Sequence, residues 1–231
     1  MLTGIYVISG FIIVPLVIYG LYARIKVRQL YEKYSKEPVK KGITGSRLAR
    51  TMLNSAGLNE VVIEEVSGTL RDHYDSRQKT IRLSRRVARN SSVAAVGIAA
   101  HEAAHALQHG TGYPPAKFRN NIAPIVEKAG YFILPLLFLG ILLSRVAMAS
   151  FFINLALILF LAIVIFYLVT LPVELEASAR ALRYIKENNV VDEKELDGVK
   201  KVLKAAAVTY IVATALAIVQ FLSLLGMARR R

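Results

Sequence analysis

Apolar residues fall along this chain in two rhythms. Four stretches carry no charge for long enough to be read as bilayer crossings, which need about 20 apolar residues per helix. They are residues 1–23, 129–144, 146–173 and 205–228. The second is short alone, but with the third it reads as a transmembrane hairpin turning near Arg145–Ser150. Between these stretches the rhythm changes. Leu48, Ala49, Met52, Leu53 and Ala56 recur at helical spacing, with Thr44 as cap and Gly57 as stop. Val61–Ile63 with Val66 reads as a short strand, and Asp72–Asp75, a turn, then Thr80–Leu83 as a hairpin. A second helix starts after Ser91–Ser92 and runs through residues 93–109. It is almost wholly small and apolar, the profile of a helix buried on most sides.

The expected architecture is a mainly α membrane protein. About four transmembrane helices accompany a small α+β catalytic domain, with boundaries at 1–23 (helix 1), 24–128 (catalytic domain), 129–173 (hairpin of helices 2 and 3), 174–204 (a further helical segment) and 205–228 (helix 4). Arg24–Tyr34 is expected to continue the first helix, and residues 36–42 to form a linker. Residues 1–23 lack a basic n-region and exceed an h-region in length, so they read as an anchor rather than a signal peptide.

Charge sharpens this picture. The chain has 231 residues, of which 55% are hydrophobic, yet it carries a net charge of +14. The excess is segregated: 19 of the 30 Lys and Arg lie in residues 24–128 and 7 in residues 175–204. Both segments fall on one membrane face if the hairpin spans, and the positive-inside rule makes that face cytoplasmic. The terminal Arg229–Arg231 would then lie outside, against the rule. Anionic lipid accounts for the basic loops. There is no Gly-rich phosphate loop, no basic stripe interleaved with aromatics and no internal repeat, so nucleic acid is not an expected partner. Nothing in the sequence speaks to an oligomeric state. The chain has no cysteine, which excludes disulfides, thiolate nucleophiles and Cys-ligated metals. Any metal must be held by Asp, Glu or one of four His.

His101-Glu102-Ala103-Ala104-His105 is an HExxH sequence. Residues i and i+4 share a helix face, so both imidazoles can reach one zinc ion. Glu102, one step round, can take a proton from a zinc-acidified water and return it to a leaving amine. Chance alone would place such a motif in roughly 0.4% of chains of this composition. A hydrolytic zinc site usually has three protein ligands. His109 is not the third, because it stands about 12 Å from His101 along a straight helix, at 1.5 Å per residue. It reads instead as a residue at the helix C-terminus. Glu174, just after the third span, is a candidate, with Pro172 read as a helix start that puts Glu174 in a first turn. Periodicity leaves Glu176 as its rival.

Asp72-His73-Tyr74-Asp75, Lys79–Ser84, Ala99–Glu102 to Gln108-His109, and Leu171-Pro172-Val173-Glu174 to Ser178 together resemble the YugP-type neutral zinc metallopeptidases of bacterial membranes, over nearly the whole chain. More distantly the chain resembles membrane gluzincins, the CAAX prenyl endopeptidases and the heat-shock membrane protease. The resemblance implies a multi-pass cell-membrane endopeptidase using Zn2+, with His101, His105 and Glu174 as ligands and Glu102 as general base. Polypeptides are its implied substrates and the lipid bilayer its surroundings. Ser178 stands where the distant relatives have an Asp that supports a ligand His. The resemblance further suggests that Asp72–Asp75 or Thr80–Leu83 is an exposed edge strand pairing with substrate. It makes His73, Tyr74 and Arg180 candidates for stabilising the oxyanion or contacting substrate. A different class of function stays open: a zinc-binding membrane scaffold or chaperone without turnover.

Overall fold

The computed structural model describes residues 2–146 and 148–228, with side chains from residue 11 onward. Among the described residues the elements run in the order α1 (Leu2–Tyr34), α2 (Gly45–Ser55), β1 (Val62–Val66), β2 (His73–Asp75), β3 (Thr80–Ser84), α3 (Arg85–Arg89), α4 (Val93–Gly110), α5 (Pro114–Leu142), α6 (Ala149–Glu187) and α7 (Glu193–Ala228). They group into two compact units. One comprises residues 1–22, 118–171 and 209–231, and the other residues 23–117 and 172–208.

The first unit contains apolar helix stretches. Among the described residues three helices, α5, α6 and α7, are long and apolar enough to cross a membrane. The expected span over residues 1–23 begins with residues whose side chains lie outside those described, although its backbone is helical from Leu2 and continues to Tyr34. Residues 229–231, whose charge bore on the fourth span, also lie outside the described residues. Large apolar side chains such as Tyr131, Leu134 and Phe138 are open on α5, as expected of surfaces that face lipid rather than water. Close packing occurs where small residues allow it: Gly140 faces Ile153, and a Cβ there would collide with its side chain.

One expectation is corrected here. Pro172 does not start a helix; it lies inside α6, which runs unbroken from Ala149 to Glu187. Proline removes one backbone donor and crowds the carbonyl one turn back. Helices of the membrane-spanning type tolerate this where neighbours re-satisfy the freed groups. Glu174 therefore sits mid-helix, and α6 continues from apolar residues into the second unit.

The second unit is a small α+β domain. The Thr44 hydroxyl caps α2 by accepting from the Arg47 N–H, and the Ser92 hydroxyl caps α4 by accepting from the Ala95 N–H. Gly57 (φ +72°) ends the first of these helices. The sheet has the order β1-β3-β2. β1 pairs with β3 in parallel, Val62 opposite Thr80, and β2 pairs with β3 antiparallel, Tyr74 opposite Ile81. β3 is therefore central, with both sides occupied, and Thr80–Leu83 cannot be a free edge. β2 keeps that role. The turn between β2 and β3 is held by the Asp75 carboxylate, which accepts from the backbone N–H groups of Arg77 and Gln78 and from the Arg82 guanidinium.

Ile81 and Leu83 of β3, Leu48, Met52 and Leu53 of α2, and the Ala-rich faces of α4 form one continuous core with Ile185 and Val199. Alanines 94, 99, 100, 103 and 104 are all fully buried. Their small side chains let the neighbours of α4 approach on most sides. This packing fixes the helix that carries the HExxH residues.

Candidate metal centre

α4 presents His101 and His105 one turn apart, with their rings edge to face at 4.7 Å between centroids. α6 brings Glu174 opposite them. Glu174 Oε2 lies 3.3 Å from His101 Nε2, and Oε1 lies 3.6 Å from His105 Nε2. The three ligand atoms all fall within 4.8 Å of one another. Tetrahedral zinc with N and O ligands about 2.0–2.2 Å away sets those ligands about 3.3–3.6 Å apart. The donor set fits a zinc ion; the two His–carboxylate distances match this spacing, and the three-atom set as a whole spreads over up to 4.8 Å. Two imidazoles and one carboxylate, in a pocket where His105 and Glu174 are buried, form a set that a cation would satisfy.

Each imidazole is held from behind. His101 Nδ1 lies 3.3 Å from the Ser178 hydroxyl. Ser178 is a neutral group at the position where the distant relatives carry an Asp. His105 Nδ1 lies 2.9 Å from Gln108 Oε1, and the Gln108 amide donates to the Val173 carbonyl at 2.8 Å and to Glu176 Oε2 at 2.6 Å. Glu176, the rival for third ligand, thus faces away from the imidazoles and supports Gln108 instead. Two residues along a helix is about 200° of rotation, so Glu174 and Glu176 cannot both face one ion.

Glu102 is buried beside this set. Burial pushes its carboxyl up to about 7; His101 pulls it down, the Glu174 and Asp72 charges add to the rise, and the Tyr74 backbone N–H lowers it by hydrogen bonding. β2 packs against α4. The Tyr74 hydroxyl lies 2.8 Å from His109 Nδ1, which explains what His109 does at the end of α4: it anchors β2. Burial pushes the Tyr74 phenol up to about 12.

The other candidates lie further out. His73 is exposed, and its Nδ1 sits 2.9 Å from the Arg71 carbonyl, in the segment leading into its strand. Arg180 is engaged by Glu176 at 2.5 Å and by the Thr111 hydroxyl at 3.4 Å. Gln108 was the residue that sequence reasoning did not assign. Its signal was its position, three residues after His105 on the same helix face, in an otherwise apolar helix.

Comparison with known proteins agrees with this chemistry. The chain is 42% identical over 215 residues to the "Putative membrane protease YugP" of Bacillus subtilis (strain 168), covering 92% of this chain and 93% of the relative. No solved structure matches it. The family described as "Putative neutral zinc metallopeptidase" matches residues 9–229, and the chain belongs to that family.

Proposed function

We propose that this protein is a zinc-dependent endopeptidase of the cell membrane, gluzincin-like in its ligand set, with its site on the cytoplasmic side. The observation that carries the reading is the convergence of His101, His105 and Glu174 beside the buried Glu102. Family membership supports the peptidase class, and the protease name of the Bacillus subtilis relative supports the membrane setting. The segregated basic loops support the cytoplasmic face.

Zinc bound by these three residues would supply a Lewis acid and an acidified water. The rest is the work of the chain. The edge of β2 offers backbone donors and acceptors to an extended polypeptide, which aligns it along α4. Glu102, held near neutrality by burial, accepts a proton from the attacking water and later returns it to the leaving amine nitrogen. Each of the three expected oxyanion groups is engaged elsewhere, the Tyr74 hydroxyl by His109, the His73 ring by the Arg71 carbonyl and Arg180 by Glu176, so none is assigned that role.

The test is Glu102→Gln in purified, detergent-solubilised protein, with an unfolded casein-like substrate. The peptidase reading expects zinc retained and cleavage reduced by at least 1000-fold, on the order of the loss seen when one essential catalytic group is removed. A non-catalytic zinc scaffold would show no Glu102-dependent cleavage of any substrate in either protein.

A further inference from the structure

We propose that Gln108 is a positioning residue that fixes which nitrogen of His105 faces the metal, and that Glu176 fixes Gln108; this rests on the zinc reading above. The Val173 carbonyl can only accept a hydrogen bond, and the Gln108 side chain reaches it at 2.8 Å. The atom doing so must be the amide NH2. The same NH2 meets Glu176 Oε2 at 2.6 Å, a second acceptor, so both of its hydrogens are committed.

This leaves the amide oxygen pointing at His105 Nδ1, 2.9 Å away, and an oxygen there demands a hydrogen on Nδ1. Neutral imidazole carries one N–H. With it on Nδ1, the Nε2 lone pair is presented toward Glu174 and the ligand cluster. Rotating the amide by half a turn would put its NH2 against His105 and its oxygen against Val173 O and Glu176, two repulsions at once. The chain Arg180–Glu176–Gln108–His105 thus has one arrangement, set from the half-exposed Arg180–Glu176 pair inward. Gln108 itself is fully buried, so water cannot substitute for these partners. His101 has only the Ser178 hydroxyl, which can donate or accept and so dictates nothing. His105 is the ligand whose orientation is built in.

The experiment compares wild type, Gln108→Leu and Gln108→Glu in detergent by zinc titration against a competing chelator. Cobalt(II) visible spectra and nitrogen NMR of the zinc-bound histidine rings are recorded on the same samples. Gln108→Leu is expected to lower zinc affinity by about 10- to 100-fold, the usual loss when a partner behind a metal ligand is removed. It should also alter the cobalt spectrum and turn His105 from a single Nδ1–H form into a mixture. Gln108→Glu, entering neutral between His105 and Glu176, keeps an acceptor for Nδ1–H and should restore most of the affinity. Unchanged affinity, spectrum and ring form in Gln108→Leu would overturn the inference while leaving the zinc site intact. Wild type that binds no zinc would overturn both. Should Gln108→Leu fail to fold, Glu176→Ala removes the same chain at its half-exposed link. A fall in zinc affinity of about threefold or more is then expected, and none would refute the role.

Discussion

Replacing Gly45 by alanine tests how closely the site-bearing helix must be approached. Gly45 is the first residue of α2 and is buried where α2 meets α3 and α4. A Cβ at this position would collide with the Val87 carbonyl oxygen, and would stand 3.1 Å from both the Ala95 carbonyl oxygen and the Ala99 Cβ. Two of these three neighbours are backbone atoms, so no side-chain rotation relieves the contact. Alanine in place of glycine would return at most about 1 kcal/mol of helix propensity. Overpacking costs typically about 1–3 kcal/mol, and a backbone obstruction belongs at the upper end. The expected net loss is about 2 kcal/mol, a fall of about 4–8 °C in the unfolding midpoint for a chain of this size. Because Ala95 and Ala99 precede His101 on α4, the same shift should weaken zinc binding. Gly57→Ala is the control. It has φ +72° and nothing within 4 Å of its would-be Cβ, so it loses about 1 kcal/mol through backbone strain alone and leaves zinc affinity unchanged. Thermal unfolding followed by circular dichroism, with chelator titration on the same samples, measures both. Gly45→Ala as stable as wild type, or less damaging than Gly57→Ala, would refute the packing argument.

Three further outcomes are expected. Partial burial alone would raise the Asp75 carboxyl, but the Gln78 and Arg77 N–H groups and Arg82 outweigh it and hold the carboxyl below its ordinary range. The stability it contributes is therefore present above about pH 4 and is lost as pH falls through its lowered value. Unfolding midpoints should decline on acidification more steeply in wild type than in Asp75→Asn, and parallel curves would contradict this. Tyr74→Phe leaves His109 Nδ1 without its partner and should cost about 1 kcal/mol in chemical denaturation. His73→Ala should leave kcat/KM within about threefold, since an exposed ring bound to the Arg71 carbonyl contributes no catalytic group; a loss like that of Glu102→Gln would return His73 to the site.

Much of this was legible in the sequence because it is local. Thr44 and Ser92 cap the helices their positions announce, Gly57 stops one, and the hairpin follows from Asp72–Asp75 and Thr80–Leu83. His101 and His105 share a face by spacing alone. What failed was decided by partners distant in sequence. A proline usually marks a helix boundary in water, but Pro172 lies inside a 39-residue helix. The hairpin pattern cannot say that β1 will occupy the far side of β3, and that pairing is what leaves β2 as the edge. Periodicity could not separate Glu174 from Glu176, because it does not say which face of α6 meets the imidazoles; their division into imidazole-facing carboxylate and Gln108 partner is set by α4's register against α6. Gln108 showed only as a polar residue in an apolar helix, and its use needed Val173 and Glu176 in place.

The most direct test of the central claim is zinc content and cleavage measured on one purified preparation of wild type, Glu102→Gln and Glu174→Ala. The account predicts one zinc per chain in wild type and in Glu102→Gln, cleavage only in wild type, and zinc lost from Glu174→Ala. Wild type that takes up no zinc when the metal is added, or Glu174→Ala that holds zinc as tightly as wild type, would contradict it.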